Sequence, residues 1–168
     1  MPASALRERF LTHLIRHPDG LSRTCGPDHI TASTLVLSAD HSQVLLTLHA
    51  KARQWFQFGG HCEPEDQTLS GAALREALEE SGLEHLRLLP LPIHLDEHAV
   101  PFCAAGPDTH HLDVRFLALA PADVRLQSSP QVSPESLDVR WWPINDVPGD
   151  ESISALIDAA LATVSHQA

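Results

Sequence analysis

The stretch GGHCEPEDQTLSGAALREALEESGL, residues 59–83, is the most informative part of this sequence. It opens on two glycines, continues through an acidic loop and ends in a segment with helical periodicity. We predict a helix over about 68–81, closed by Gly82 as a left-handed cap. That helix carries three acids within five residues, Glu76, Glu79 and Glu80. Acids so closely spaced are unusual for a plain surface helix and indicate a binding function.

The three acids fall on one side of the predicted helix. At about 100° per residue, with Leu74 taken as zero, they lie between about 140° and 240°. Ala77, Leu78 and Ser81 lie within about 60° of Leu74, so we expect the acids to stand opposite an apolar stripe. Like charges at this spacing destabilise a helix by about 0.2–0.5 kcal/mol per pair. A divalent cation would turn that repulsion into binding, and oxygen ligands favour Mg²⁺ or Mn²⁺ over zinc.

Two neighbouring features suit a metal site. Arg75 adjoins Glu76 and can hold its carboxylate by a charge-assisted contact. Gly59 and Gly60 have no Cβ, so a backbone carbonyl there can approach a metal closely. The alternative is that the glutamates form an ordinary solvated face. The fixed order of glycines, acidic loop and Arg-Glu pair favours the metal site.

These residues resemble the Nudix box, which reads G, five residues, E, seven residues, then R-E-apolar-x-E-E-x-G-apolar. The matching positions are Gly60, Arg75, Glu76, Ala77, Glu79, Glu80, Gly82 and Leu83. The front half departs from the pattern, because the acid is Asp66 and eight residues separate it from Arg75. We interpret the difference as one residue inserted in the loop before the helix, where insertions are tolerated.

The resemblance implies a Nudix fold, an α/β/α sandwich with a mixed central sheet, in a single domain over residues 1–168 with the box at 60–83. It also implies hydrolysis, with Mg²⁺ or Mn²⁺, of a pyrophosphate bond in a nucleoside diphosphate linked to another group. The metal ligands implied by position are the carbonyl of Gly60 and the carboxylates of Glu76, Glu79 and Glu80. Arg75 would orient the glutamates, and Glu79 or Glu80 would deprotonate the attacking water.

Other carboxylates are candidates for the base or a further ligand. Some Nudix proteins take this group from a later loop, and Glu135 is the first choice here, ahead of Glu97 and Asp113. For each of these three, an ordinary surface acid is the commoner explanation. The altered spacing leaves the role of Asp66 open, with Glu63 or Glu65 as substitutes.

Four side chains are candidates for substrate contacts: Arg53, Trp55, His61 and Arg115. The arginines can hold phosphate, although solvated strand faces explain them equally well. Trp55 or Phe56 can stack on a base, and core packing is the alternative for one of them. His61 directly follows the double glycine, where a simple loop residue is equally plausible.

Two other chemistries receive little support from the residue pattern. His94 and His98 are four apart, with His110 and His111 further on, but the first pair lies in a proline-broken segment without a supporting cysteine pair, so zinc is disfavoured. Cys62 lies in the box, but no His/Asn arrangement can be inferred around it, and the metal chemistry needs no covalent step.

Composition restricts the class of partner and the compartment. The 168 residues hold 22 acids against 11 Lys and Arg, a formal charge of −11, which disfavours nucleic-acid polymers and anionic membranes. For a small phosphorylated substrate, a bound cation is the simplest candidate for reversing the local charge. Three widely spaced cysteines suit a reducing cytoplasm, and we identify neither a signal peptide nor a membrane span. A homodimer is compatible with such a domain, and the sequence does not decide it.

The remaining segments predict helices over about 4–16 and 150–164 around several strands. The strands are expected at 29–38, 43–49, 53–58, 111–120 and 137–144, with a broken strand at about 86–95 and a loop at 99–110. Leu6, Phe10 and Leu14 are the expected buried face of the first helix. Two alternative functions remain, a Nudix-fold nucleotide-binding or sensing module without catalysis and an isoprenoid-diphosphate isomerase-like enzyme.

Overall fold

The computed structural model describes residues 3–101, 103, 106–122 and 136–166. The three helices are α1 (Ala3–Arg16), α2 (Leu69–Ser81) and α3 (Glu151–Ser165). The strands are β1 (His29–Leu37), β2 (Gln43–His49), β3 (Trp55–Phe56), β4 (Phe58–His61), β5 (Arg87–Leu88), β6 (His94–Ala99), β7 (His110–Leu119) and β8 (Ser136–Pro143). Within the described ranges, no helix has both the length and the apolar character needed to cross a bilayer.

The strands form one mixed sheet around β1 and β7. These two strands run parallel over their whole length, from His29 opposite His111 to Leu37 opposite Leu119. The other pairings are antiparallel: β2 with β1, β3 and β8, β4 with β1, and β5 and β6 with β7. The mixed sheet with helices packed on it confirms the predicted α/β architecture.

Alternation along the central strands gives the sheet two apolar faces. One face packs Ile30, Ala32 and neighbouring β7 side chains against α1 and against Ala72 and Ala73 of α2. The other face packs leucines of β1 and β7 against α3, and its central members are Leu35, Leu37, Leu117, Leu119, Ile153, Leu156 and Ile157. Full burial of each such side chain contributes about 1.5–3 kcal/mol, so the two helical layers hold the sheet between them.

The face under α3 is apolar along only half of its length. Leu35 and Leu37 are followed, on the same side of β1, by Thr31 and Ser33 toward the strand start, and β7 likewise carries Asp113 and Arg115. Because α3 covers only the leucines, the polar half lines an open cleft of about 1880 Å³. The cleft also reaches the start of α3, and α2 lines it through its glutamates.

Three elements differ from the sequence-based expectations. The segment expected as a broken strand at 86–95 forms two short strands, and the second, β6, extends to Ala99 into the expected loop. The short strand expected at 53–58 is two strands, of which β4 includes both glycines. In α1, Phe10 is buried as expected, whereas Leu14 is 39% exposed because the helix contacts the sheet mainly near Phe10.

Candidate active site

Helix α2 begins and ends where the sequence predicts. Thr68 is the N-cap, and its hydroxyl accepts a hydrogen bond from the backbone N–H of Gly71 at 2.9 Å. Gly82 has φ 67°, and its N–H donates to the carbonyl of Leu78 at 3.2 Å. In mid-helix, the hydroxyl of Thr34 on β1 donates to the carbonyl of Ala73 at 2.9 Å. The caps and this cross-link fix the helix against the sheet.

We expected the acids of α2 to lie opposite a buried face centred on Leu74. The structure differs from this expectation. The fully buried side chains are Ala72, Ala73, Ala77 and Ser81, whereas Leu74 and Leu78 are only half-buried. Small side chains let the helix lie close to β1, so the contact face is rotated away from the leucines. Glu76 and Glu80 therefore flank the buried face and are half-buried themselves, and Glu79 is the most exposed of the three.

Two of these glutamates contact the double glycine, Glu80 at Gly59 and Glu76 at Gly60. Glu80 Oε2 accepts a hydrogen bond from the N–H of Gly59 at 3.1 Å. A Cβ built on Gly60 would lie 2.8 Å from Glu76 Oε1, and one built on Gly59 would lie 2.3 Å from Ser33 Cβ. Neither position has room for a side chain, so the glycines bring the β4 backbone into contact with the carboxylates.

Arg75 links the helix to the preceding loop. Its Nε and Nη2 donate to the two carboxylate oxygens of Asp66 at 3.2 and 2.8 Å, and Nη2 also donates to the His61 carbonyl at 3.1 Å. Its Nη1 donates to Glu76 Oε1 at 2.9 Å and to Glu79 Oε2 at 3.4 Å. The hydrogen bonds from Arg75 lower the pKa of Asp66, so that carboxyl stays ionised and keeps the loop in place.

Glu63 is a marginal member of this group. Its carboxylate is 4.0 Å from Arg75 Nε and its side chain is 58% exposed, while its backbone N–H donates to Asp66 at 2.8 Å. The structure therefore places Asp66, rather than Glu63, against Arg75.

Asp113 lies at the floor of the cleft, where its carboxylate accepts four hydrogen bonds. It accepts hydrogen bonds from Thr31 at 3.0 Å, Ser33 at 2.7 Å, Gln57 at 3.2 Å and Arg115 Nε at 2.9 Å. Its side chain is only 4% exposed. A buried carboxylate held by four donors is suited to fixing the cleft floor.

Arg115, a candidate phosphate contact, lines the cleft and is buried in the same network. Its Nη1 donates to the Ser152 hydroxyl and its Nη2 to Asp96 Oδ2, at 2.7 and 2.8 Å. All three guanidinium nitrogens thus already have protein acceptors. Burial raises the pKa of Asp96, but the hydrogen bond from His98 and the charge of Arg115 outweigh it and leave the pKa below its usual value.

The other candidate residues divide between the cleft and its surroundings. Trp55 packs against the α3-side core and meets Trp142 edge-on, while Phe56 lines the cleft. Arg53 is exposed and lies outside the cleft lining. Glu97 lines the cleft and pairs with Arg9 at 3.3 Å. Glu135 lies outside the described residues.

Three histidines meet at one end of the cleft, which the sequence analysis missed. His61, expected near substrate, lies against His29 and His111. Burial lowers the pKa of His61 to about 4 and that of His111 to about 3, so both rings are neutral at pH 7.

Burial also raises the pKa of the Cys62 thiol to about 11, which agrees with its rejection as a nucleophile.

The α2 site fits a hard divalent cation. Its donors are carboxylates of Glu76, Glu79 and Glu80 beside the Gly60 backbone, all of them oxygen, the donor type that Mg²⁺ and Mn²⁺ prefer. The space that a Cβ at Gly60 would fill is already taken up by the Glu76 carboxyl group, so the β4 backbone and this carboxylate lie close together. The residues present therefore suit the metal that the sequence pattern indicates.

Comparison with known proteins identifies the class to which this fold and site belong. Residues 27–160 match the NUDIX domain family, which is most of the chain. The chain belongs to the Nudix family.

Similar proteins include the human "m7GpppN-mRNA hydrolase NUDT17", 32% identical over 124 residues. The match takes in 67% of this chain but only 37% of that protein's length. A NUDIX-family hydrolase from Clostridium perfringens aligns with TM-score 0.61 and 25% identity, covering 80% of this chain and 97% of that one. The Caenorhabditis elegans Ap4A hydrolase in a binary complex aligns with TM-score 0.64 and 16% identity, covering 82% and 98%, and shows the shared fold.

Proposed function

We propose that this protein hydrolyses a pyrophosphate bond in a nucleoside diphosphate linked to another group, with Mg²⁺ or Mn²⁺ bound at α2. The observation that carries the proposal is the contact between the Glu76 carboxyl group and Gly60, with Glu79 and Glu80 on the next turn. Relatives named as hydrolases support the reaction class. For a chain of formal charge −11, a bound cation is the simplest way to attract an anionic substrate.

Each residue of the site has a distinct part in this proposal. Glu76, Glu79, Glu80 and the Gly60 carbonyl hold the cation, which when bound neutralises phosphate oxygens and lowers the pKa of a bound water. A carboxylate oxygen of Glu79 or Glu80 accepts the proton of the attacking water. Arg75 orients the carboxylates and ties them to the loop through Asp66. Water adds to one phosphorus, the bridging P–O bond breaks, and two phosphate-containing products leave.

The open cleft supports a substrate longer than the diphosphate itself. It runs from the glutamates of α2 past Phe56 and the polar strand floor. Phe56 and His61 both line the cleft, and Phe56 offers a ring for stacking a base. These contacts leave open which nucleoside diphosphate derivative is preferred.

A hydrolysis screen tests the proposal. Nucleotide sugars, dinucleoside polyphosphates, oxidised nucleotides and non-nucleotide pyrophosphates are incubated with Mg²⁺, with Mn²⁺ and with a chelator, and products are separated by chromatography. We expect metal-dependent release of two phosphorylated products from at least one nucleoside diphosphate derivative. Binding without turnover would indicate the sensing module, and rearrangement of an isoprenoid diphosphate without cleavage would indicate the isomerase.

Matched variants connect any turnover to α2. We expect Glu79→Gln and Glu80→Gln each to lower kcat by at least about 100-fold with an unchanged circular dichroism spectrum, because they remove charge rather than packing. Glu84→Gln is the control, since Glu84 is an exposed glutamate just beyond the helix. Wild-type rates in both helix variants would end the assignment of these residues.

A further inference from the structure

A second group of metal-ligand side chains lies in the cleft, outside α2. His29, His61, His111 and Cys103 each bring one ligand atom to within 4.8 Å of the other three. They come from β1, β4, β7 and the turn after β6. Because four separate segments supply them, no spacing along the chain reveals the group.

The register of the sheet places the three rings together. His29 lies opposite His111 in the parallel pair, and two residues further along β1, Thr31 lies opposite His61. Positions i and i+2 share a face, so all three rings project from the same side of the sheet. Their centroids are 4.8 Å apart for His29 and His111, 5.0 Å for His29 and His61, and 5.1 Å for His61 and His111.

His29 is oriented as a metal-ligating histidine is. It is fully buried, and its Nδ1 lies 3.2 Å from the Cys25 carbonyl oxygen. Since a carbonyl only accepts, Nδ1 carries the proton and Nε2 keeps its lone pair. That Nε2 lies 3.9 Å from Cys103 Sγ. A backbone carbonyl holding the far nitrogen is the usual support for a histidine ligand.

The other two rings present nitrogens that lack a partner. His61 Nε2 and His111 Nε2 are buried, and neither makes a hydrogen bond within the described residues. Buried polar atoms are nearly always satisfied, so two adjacent exceptions need an explanation. A cation between them would accept both lone pairs at once.

We propose that His29, His61, His111 and Cys103 bind a divalent transition-metal ion of the zinc class. Three nitrogens and one thiolate supply four ligands of the N and S types that tetrahedral zinc prefers, and a thiolate does not suit Mg²⁺. Zinc–ligand bonds of about 2.0–2.3 Å require ligand atoms about 3.3–3.8 Å apart, so side-chain movements of about 1 Å close the site. The ion fastens the turn containing Cys103 to the sheet at the histidine end of the cleft. The site uses none of the α2 carboxylates, although His61 directly follows Gly60 in the chain.

Cobalt(II) is the probe for this site, because its visible spectrum reports tetrahedral geometry and its near-ultraviolet band reports a thiolate ligand. Metal-free protein is titrated with Co²⁺ and then with Zn²⁺. We expect one tightly bound Co²⁺ with both signals, displaced by Zn²⁺ and unaffected by excess Mg²⁺. Saturating Zn²⁺ at about 100 times its Kd should raise Tm by about 5 °C or more.

Variants decide which residues bind the ion. Cys103→Ser should abolish the thiolate band, and His111→Ala should weaken binding by at least about 100-fold. Circular dichroism checks folding, and Cys103→Ser, in a partly exposed turn, is the safer variant if His111→Ala does not fold. Cys62→Ser is the matched thiol control and should leave both signals unchanged.

A second small group, His17, Asp19 and Cys25, could also attract an ion and must be separated. His17→Ala should leave the cobalt spectrum unchanged. The proposal is overturned if wild-type protein binds neither ion tightly, if Cys103→Ser keeps the thiolate band, or if His17→Ala abolishes binding.

Discussion

Asp66 and Arg75 form a two-point ion pair across the loop before α2, with Oδ1 to Nε at 3.2 Å and Oδ2 to Nη2 at 2.8 Å. The pair spans the part of the box where the sequence departs from the Nudix pattern. Asp66 reaches Arg75 although eight residues separate them. The same arginine holds Glu76, so the loop, the arginine and a proposed metal ligand form one connected unit.

Replacing Asp66 with Ala should therefore displace the carboxylates of Glu76 and Glu79 indirectly, through Arg75. We expect the free energy of unfolding to fall by about 1–3 kcal/mol, because the half-buried guanidinium loses both of its hydrogen bonds to Asp66. We expect kcat to fall about 10- to 100-fold as Arg75 and Glu76 shift. Gln67→Ala, an exposed change in the same loop, is the control. Equal rates in the two variants would contradict this role for Asp66.

Replacing Gly60 with Ala tests the contact between backbone and carboxylate. The new Cβ would lie 2.8 Å from both Glu76 Cδ and Oε1, so the carboxyl group must move. Because that group is the end of a flexible side chain, we expect little change in Tm but a fall in kcat of about 100-fold. Gly71→Ala is the matched change on α2, where the nearest atom is the Thr68 hydroxyl at 3.1 Å. Full activity in Gly60→Ala would show that the contact between the Gly60 backbone and the Glu76 carboxyl group is not needed for hydrolysis.

Replacing Arg115 with Met tests whether it stabilises the cleft floor. Its side chain is 4% exposed, and its removal takes the arginine cation from buried Asp113 and from half-buried Asp96. We expect a loss of about 3–5 kcal/mol in the free energy of unfolding, measured by urea denaturation. Arg140→Met is the control for an exposed ion pair, since that side chain is 58% exposed and pairs with Asp138. A loss of under about 1 kcal/mol in both would show that the Arg115 network contributes little.

The Asp96→Asn variant should show a pH-dependent loss of stability. The native pKa of Asp96 lies below its usual 3.8, so the carboxylate contributes stability that is complete above 3.8 and is lost as pH falls through the native value. Wild type should therefore be more stable than the variant at pH 7. The gap should shrink as the pH is lowered past 3.8. If the difference in the free energy of unfolding between wild type and Asp96→Asn stays constant at acidic pH, the effect of the substitution does not come from the charge of Asp96.

The sequence predicts the elements that have local signals. Thr68, Gly82 and helical periodicity define α2 to within one residue, and alternation defines β1, β2 and β7 closely. The orientation of α2 is less predictable, because the alanines rather than the leucines pack closest to the sheet. Strand β6 was not predicted with its observed bounds, because the prolines at 90 and 92 interrupt the pattern before it. Its strand conformation depends on pairing with β7.

The cleft floor depends on pairing between distant strands and has no local signal. Asp113 looks like a surface acid until β1 supplies Thr31 and Ser33 beside it, 82 and 80 residues away along the chain. Arg115 likewise looks solvated until Asp96 and Ser152 surround it. The histidine group depends on the register of three strands, and spacing along the chain drew attention only to His111 among its members.

The most direct test of the central claim is a Mn²⁺ titration followed by electron paramagnetic resonance, which distinguishes free from bound ion. Wild-type protein should bind Mn²⁺, and Glu80→Gln should raise the Kd by about 10- to 100-fold, while Glu84→Gln leaves it unchanged. If Mn²⁺ binds wild type and Glu80→Gln with the same Kd, or binds neither, the glutamates of α2 are not its ligands and the account is wrong.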